Sequence, residues 1–197
     1  MKKSFVTFFL VYCLAVSFLT AQMVVNHSYN DGPKIFKINS GAETEFFNYY
    51  DSGGSSSVYG NSSGNSSIVT FIPADPSAKI QIEFTSFSTE ANYDVLYVFD
   101  GLNTSAPKIS SPNGPPKGVS PFGDGGWWGT TAPENIGTKI IRATNPSGAL
   151  TLAFISDGIV ASFGWSALVT NVCNTYGINN AGIASIDSVV RPCPGIQ

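Results

Sequence analysis

The chain has 197 residues, of which only 12% are charged, and its formal charge is −3. A weakly acidic chain with scattered charges lacks the basic surface that binds nucleic acid or an anionic membrane. Its 20 glycines, 12 prolines and 13% aromatic residues are typical of a loop-rich, all-β extracellular domain with room for one sandwich.

The N-terminus has the pattern of a secretory signal peptide. Lys2 and Lys3 precede an apolar run over residues 5–19, and small residues then offer a cleavage point after Ala21. The run is too short for a membrane-spanning helix. We therefore predict that residues 1–21 are removed and that the mature chain, without a membrane span, is secreted or held at the cell surface. Retention of the segment as an N-terminal anchor is the alternative.

Two cysteines remain after this cleavage, because Cys13 lies within the signal peptide. A secreted protein can keep a disulfide. If Cys173 pairs with Cys193, the bridge closes a loop of about 20 residues and contributes about 3 kcal/mol in the chain-entropy model. We regard this pair as the candidate disulfide.

Residues 22–34 are polar and turn-rich after their first few positions, and we expect a loose leader there. His27, the only histidine, has no Cys, Asp or Glu at metal-ligand spacing, which favours a solvated side chain over a metal ligand. A Ser/Gly/Asn-rich loop follows, from which we expect Val58 and Tyr59 to enter the core. Apolar patterns predict strands around this loop at residues 35–38, 45–50 and 68–72.

Residues 84–101 organise the rest of the chain. Apolar residues alternate with polar ones on both sides of a short link over residues 88–92, at Ile80, Ile82 and Phe84 before it and at Val95, Tyr97 and Phe99 after it. This pattern predicts a hairpin of two half-buried strands. Glu90 lies in the link, Asp94 follows it, and Asp100 begins a turn after the second strand.

The chain changes character over residues 102–133, which are rich in proline and glycine and show no apolar alternation. A loop of this length is either functional or disordered. Phe122, Trp127 and Trp128 are its candidate partner-binding residues, since exposed aromatic rings stack on sugars or anchor protein partners. The alternative is that both tryptophans lie under the loop as a satellite core. Further strands are predicted at residues 139–143, 150–155 and 164–169.

Several ordered motifs of the chain resemble those of a CUB domain. They are FTSFSTE at residues 84–90, YDVLYVFDG at 93–101, FISDG at 154–158 and a later Gly-Trp pair at 164–165. The YDSGG segment at residues 50–54 resembles the opening of bacterial CUB-like modules of large secreted or cell-surface proteins. The resemblance spans residues 35–173 and implies an antiparallel, jelly-roll-like β-sandwich. Animal CUB domains usually carry two internal disulfides that this sequence lacks, so packing alone must hold the sandwich.

The resemblance also implies a calcium site. Its ligands would be Glu90, Asp94 and Asp157, and Tyr59 would support the glutamate. Calcium binds several hard oxygen ligands, and two loops at the same end of a sandwich would bring together carboxylates that repel one another without a cation. The alternative is that Asp94 and Asp157 accept bonds from backbone N–H groups in turns and bind no ion. We interpret Asp51 as a turn residue in the same way.

The function that these features favour is recognition rather than catalysis. The sequence offers no Ser/His/Asp set, no zinc spacing and no nucleotide motif. Glu90 and Asp94 as a glycosidase pair would need a cleft that a compact hairpin does not offer.

We expect an adhesion module that binds an extracellular protein or glycan through calcium-organised loops. The resemblance implies that a basic side chain of the partner meets the carboxylates. The alternatives are an accessory domain of a secreted hydrolase whose catalytic part lies outside this chain, and a spacer without a ligand. Residues 174–197 resemble the start of a following Ig-like repeat.

Overall fold

The computed structural model describes residues 23–39, 46–61, 67–118, 120–131, 135–137 and 139–173. Within these ranges the chain forms β-strands and no helix. The strands are β1 (Met23–Asn26), β2 (Lys34–Ile38), β3 (Phe46–Tyr50), β4 (Ile68–Pro73), β5 (Ala78–Ser88), β6 (Val95–Phe99), β7 (Ile140–Arg142), β8 (Leu150–Ile155) and β9 (Gly164–Cys173).

The strands form two sheets that pack face to face, so the predicted all-β sandwich is confirmed. One sheet has the order β1-β3-β9-β5-β7 and the other has the order β2-β4-β8-β6. Apolar side chains from both sheets fill one continuous core, which includes Tyr49, Phe71, Leu96 and Trp165. Most strand pairs are antiparallel, but each sheet has a parallel pair at one edge, β1 with β3 and β2 with β4.

The predicted hairpin at residues 84–101 is wrong in its pairing. β5 pairs with β7 and β9, whereas β6 pairs with β8 in the other sheet. The link between them therefore crosses from one sheet to the other at one end of the sandwich. β6 is also buried along its whole length rather than on one face. Apolar alternation locates a strand, but it does not identify the strand's neighbour.

Residues from the long Pro/Gly-rich segment cover the outer face and free edge of β6. Trp127 and Leu96 exchange backbone hydrogen bonds of 2.9 and 3.0 Å, and the Ile109 N–H donates to the Val98 carbonyl over 2.8 Å. Val95, Tyr97 and Phe99 pack in a second apolar cluster with Trp128 and the flanking Phe122. The segment thus protects an edge that would otherwise be open to pairing with another chain.

The predicted loose leader is also wrong, because part of residues 22–34 belongs to the sandwich. β1 runs parallel to β3, with Met23 opposite Phe47 and Val25 in the core. His27 is buried, with Nδ1 2.6 Å from Tyr49 Oη and Nε2 2.8 Å from the Ser67 carbonyl oxygen. Burial lowers the pKa of His27 to about 4, so the ring is neutral. The expected solvated histidine is instead a core residue.

Three predictions fall on residues that the structure does not describe: the signal peptide at residues 1–21, the tail at 174–197 and the role of Cys193. Cys173 is disulfide-bonded, but Cys13 and Cys193 both lie outside the described residues. The Cys173–Cys193 pairing therefore stays a prediction. In the part of the chain that is described, no helix has the length and apolar character needed to cross a membrane.

Candidate metal centre

Three carboxylates from two separate loops meet at one end of the sandwich. Glu90 and Asp94 lie in the link between β5 and β6, and Asp157 follows β8. One carboxylate oxygen from each residue lies within 4.8 Å of the other two. We call these three residues the acidic cluster.

The pairing of β6 with β8 explains why the two loops meet. Val95, the first residue of β6, lies opposite Ile155, the last residue of β8. Asp94 and Asp157 come just before and just after this pair. Their contact is direct, because the Asp157 N–H donates to Asp94 Oδ1 over 2.9 Å.

A tight turn in the link adds the third carboxylate. The N–H groups of Tyr93 and Asp94 both donate to the Glu90 carbonyl, over 3.4 and 3.1 Å. Asn92 has a φ of 69°, in the left-handed region that asparagine tolerates better than most residues. The turn therefore holds Glu90 and Asp94 together although they are four residues apart in sequence.

Asp94 is the buried centre of the acidic cluster. Its Oδ2 accepts a hydrogen bond of 2.6 Å from the Tyr59 hydroxyl, and its Oδ1 accepts the bond from Asp157. Burial raises the pKa of Asp94 to about 6. The two bonds oppose this rise, and the negative charges of Asp157 and Glu90 add to it. An ionised Asp94 is therefore costly in this site unless a positive charge is present.

Tyr59, to which the resemblance to CUB domains assigned the support of Glu90, contacts both Glu90 and Asp94. Its hydroxyl donates to Asp94 and accepts the Glu90 N–H over 3.1 Å, so its contact with Glu90 is through the backbone. Tyr59 is buried as predicted, whereas its neighbour Val58 is exposed. The predicted entry of both residues into the core is thus wrong for Val58, since successive residues of an extended segment point in opposite directions.

Glu90 contains an oxygen that the rest of the site leaves without a partner. Its Oε2 is buried and accepts no hydrogen bond from any described residue. Burial, and then the charge of Asp157, raises the pKa of Glu90. A buried carboxylate oxygen without a partner costs free energy unless it binds a cation or a proton.

The cluster fits calcium better than it fits turn capping alone. Capping bonds are present, since Asp157 Oδ1 accepts the Ile159 N–H over 2.9 Å and Asp94 accepts the Asp157 N–H. They do not account for the unpartnered Oε2 of Glu90. Three carboxylates supply part of the oxygen shell that calcium prefers, and backbone carbonyls or water would supply the rest.

Trp127, Trp128 and Phe122 are not the exposed aromatic platform that the sequence suggested. Both tryptophans are only 5% exposed. Trp127 belongs to the main core and its Nε1 donates to the Ile109 carbonyl over 3.3 Å, while Trp128 and Phe122 pack with the second cluster. The alternative, a satellite core under the long segment, describes them better. They are buried because this segment folds over β6.

A polar cavity of about 460 Å³ lies beside the link. None of the described residues that line it is charged, and Trp128 is its one aromatic residue. Its lining consists of Ala91, Asn92, Pro112, Asn113, Gly114, Trp128, Gly129, Thr130 and Thr131. Its volume suits a small ligand.

Asp51 and Gly164 form a contact that the sequence does not predict. Asp51 accepts the Gly53 N–H over 2.6 Å, as expected of a turn residue, and also the Trp165 N–H over 3.2 Å. Gly164 has a φ of 59°, and a Cβ there would overlap the Asp51 carboxylate. The YDSGG and GW motifs thus meet at the same end of the sandwich as the acidic cluster.

Asp100 has a structural role, but its carboxylate does not act within its own Asp-Gly turn as the sequence predicted. Its carboxylate accepts hydrogen bonds from Thr144 and Asn145, in the turn between β7 and β8. Burial alone would raise the pKa of Asp100, but these bonds outweigh it and lower the pKa.

No protein-family model matches the chain. Among solved structures, the chain is similar to the CUB1-EGF-CUB2 domains of rat MASP-1, with a TM-score of 0.44 and 14% sequence identity. The similarity covers 77% of this chain and 47% of that one, so the chain spans about half the length of that structure. We therefore infer the function from the residues of this chain.

Proposed function

We propose that the chain is a CUB-like recognition module, secreted or held at the cell surface, whose loops are organised by one calcium ion. The observation that carries this proposal is the buried Oε2 of Glu90, which has no donor among the described residues, in a side chain that lies beside two other carboxylates. A bound cation gives this oxygen a partner and removes the repulsion among the three groups.

Each residue of the acidic cluster would contribute to calcium binding in a different way. Asp94 is fixed by Tyr59 and by the Asp157 N–H, so it is the preorganised ligand. Glu90 and Asp157 are partly exposed and form the side of the cluster that faces solvent. Calcium would supply the charge that links the Glu90–Asp94 turn to the loop after β8.

The charge of the site favours a basic partner. Three ionised carboxylates and one divalent ion leave a net charge of −1, next to a partly exposed surface. We propose that a Lys or Arg of an extracellular protein contacts Glu90 and Asp157 there. Such a pair between charged groups contributes to specificity and to the rate of association.

We further propose that the module binds and does not catalyse. The single histidine is buried between Tyr49 and Ser67, on which both of its ring nitrogens are engaged. The Asp94 carboxylate has a hydrogen-bond donor on each oxygen. The histidine is therefore not placed to act as a general base, and the proposed calcium ion engages the carboxylates of the cluster.

Isothermal titration of calcium into the chelator-treated, full-length chain tests the proposal. We expect a dissociation constant of roughly 10⁻⁴ to 10⁻³ M, as for extracellular calcium modules, and binding at least about tenfold weaker in the Asp94→Asn variant. Asp75→Asn is the matched control. The Asp75 carboxylate accepts its hydrogen bonds from Ser77, in the turn before β5, and so lies at the other end of that strand from the acidic cluster. No binding by the wild-type chain at millimolar calcium would refute the calcium site.

Glycan binding is a second candidate, favoured by the polar cavity beside the link. Its lining includes asparagine amides and threonine hydroxyl groups and no charged residue, which suits a neutral sugar. A glycan array tests it, with Thr130→Val and Thr131→Val to remove hydroxyl groups at nearly constant volume. The candidate is wrong if the array shows no signal or if these variants bind as the wild type does.

A further inference from the structure

The loop after Asp157 exposes three large apolar side chains within five residues. Ile159 is 69% exposed, Val160 57% and Phe163 70%. We call these three residues the apolar tip. A single exposed apolar residue is ordinary, but three of them in one short loop form a candidate interaction site.

Hydrogen bonds hold this loop in place at both ends. On one side, the Asp157 N–H is bound to Asp94 and the Ile159 N–H to Asp157. On the other, the Ser162 carbonyl accepts the Tyr59 N–H over 3.1 Å. Ala161, between the exposed residues, packs against the main core. The apolar tip is thus presented by the same groups that build the acidic cluster.

Val160 adopts a conformation that its side chain disfavours. Its φ is 58°, in the left-handed region, where a β-branched residue is a genuine outlier. Such strain persists only where the surroundings impose it, and it concentrates at binding and switch regions. The fixed ends of the loop supply that constraint.

The apolar tip lies at the end of the sandwich opposite to Cys173, the last residue of β9. Asn26 pairs with Tyr50 and Tyr50 with Ser166, close to the start of β9, whereas Met23 pairs with Phe47, which lies opposite Val169 in the middle of β9. β9 itself runs for ten residues from Gly164, beside the acidic cluster, to Cys173. β9 therefore leads the chain away from the tip, and the three side chains of the tip stay exposed among the described residues.

We propose that the apolar tip and the acidic cluster form one docking surface for a protein segment in which a Lys or Arg adjoins large apolar side chains. The acidic half of this surface rests on the proposed function. Charge complementarity selects the occupant, since a net charge of −1 at the loaded cluster attracts an ammonium or guanidinium group and repels a lipid phosphate. The apolar tip then supplies the apolar contacts that hold the partner, since buried central side chains contribute most of the binding energy of an interface.

Selection of random peptides displayed on phage against the immobilised full-length chain, in millimolar calcium, tests the proposal. We expect enrichment of peptides in which Lys or Arg is flanked by Leu, Ile, Phe or Trp. For a synthetic copy of an enriched peptide, affinity falls about tenfold or more in Phe163→Ser and in Ile159→Ser, as for the central anchors of an interface.

Ile35→Ser is the matched control, because Ile35 is 68% exposed and lies on β2, at the edge of its sheet opposite β6. We expect it to leave peptide affinity unchanged. Calcium binding, measured on the same variants, stays at the wild-type level in all three. Loss of peptide binding with intact calcium binding therefore separates this proposal from the calcium site.

Three outcomes would overturn the proposal. The first is selection without enrichment of basic and apolar residues, and the second is equal affinity of the peptide for the wild type and Phe163→Ser. The third is calcium-dependent sedimentation with phosphatidylserine–phosphatidylcholine vesicles that Phe163→Ser abolishes, since this would assign the tip to a membrane surface. If the wild type binds no calcium but peptide binding still depends on Phe163, the proposed function fails and the apolar anchor stands.

Discussion

The Tyr59 hydroxyl lies 2.6 Å from Asp94 Oδ2 and donates a hydrogen bond to it across 35 residues of sequence. The Tyr59 hydroxyl oxygen also accepts the Glu90 N–H, and the Tyr59 backbone N–H donates to the Ser162 carbonyl. One buried tyrosine thus connects both loops of the acidic cluster, and its hydroxyl gives a direct way to perturb the site.

Replacing Tyr59 by Phe removes this hydroxyl and little volume. We expect the free energy of unfolding to fall by about 2 kcal/mol, since a hydrogen bond to a carboxylate is lost inside the protein. Calcium affinity also falls, because the bond from Tyr59 favours the ionised form of Asp94. Urea denaturation and calcium titration measure the two effects.

Tyr97→Phe is the control for this change. Tyr97 is equally buried, but its hydroxyl binds the Gly123 carbonyl and Ser120, outside the acidic cluster. We expect it to cost stability and leave calcium affinity unchanged. If Tyr97→Phe weakens calcium binding as much as Tyr59→Phe does, the special role of Tyr59 is wrong.

Gly164→Ala tests the contact between the YDSGG and GW motifs. The variant combines a left-handed φ with overlap of the new Cβ and the Asp51 carboxylate. We expect a loss of at least about 3 kcal/mol in the free energy of unfolding, since overpacking and backbone strain add. Gly158→Ala is the control, because a Cβ at Gly158 meets no atom within 4 Å. Similar melting temperatures for the two variants would contradict the predicted clash.

We predict that buried His27 lowers the free energy of unfolding in mild acid. Its pKa is about 4 in the folded chain and about 6.5 in the unfolded one, so between these values the unfolded state binds the extra proton. The stability that the neutral, buried His27 ring contributes is complete above about pH 6.5 and is lost as the pH falls toward 4. Relative to His27→Gln, the wild type should lose about 2 kcal/mol between pH 7.5 and pH 5.

The comparison with His27→Gln is needed because buried acids act in the opposite direction. Burial raises the pKa of Asp51 and of Asp94 to about 6, so these groups favour the folded state more as the pH falls below that value. Urea denaturation of both chains at the two pH values isolates the histidine. A stability difference between the chains that does not change with pH would show that His27 is not the group responsible.

Calcium affinity should fall in acid because protons compete with the ion for the carboxylates. Calcium binds the ionised carboxylates, and Asp94 with a pKa of about 6 must lose its proton first. Binding should therefore weaken as the pH falls through about 6, by up to about tenfold per pH unit for each proton released. Titration at about pH 7.5 and pH 5 measures this, and an equal affinity at both values would argue against Asp94 as a ligand.

Much of this arrangement can be predicted from local sequence. Apolar patterns located β8 at residues 150–155 without error, and motif order brought together Glu90, Asp94 and Asp157 from loops 63 residues apart. The strand is predicted correctly because burial imposes a period on its residues. The proximity of the three carboxylates was predicted from the order of the motifs that resemble a CUB domain.

The failures share a physical origin in long-range contacts. β1 is only four residues long, with too little alternation to detect, and its parallel pairing with β3 depends on residues far along the chain. His27 is buried because that pairing carries it against Tyr49 and Trp165. Trp127 and Trp128 lie in a segment with no apolar period, so only the sheet it covers determines their burial.

Thermal melts of the full-length chain in chelator and in millimolar calcium show whether the acidic cluster binds calcium and thereby stabilises the module. At about ten times the dissociation constant, binding contributes about 1.4 kcal/mol and raises Tm by a few degrees. We predict this rise for the wild type and for Asp75→Asn, and its absence in Asp94→Asn and Asp157→Asn. No rise in the wild type, or an equal rise in the two cluster variants, would show that these carboxylates do not bind calcium.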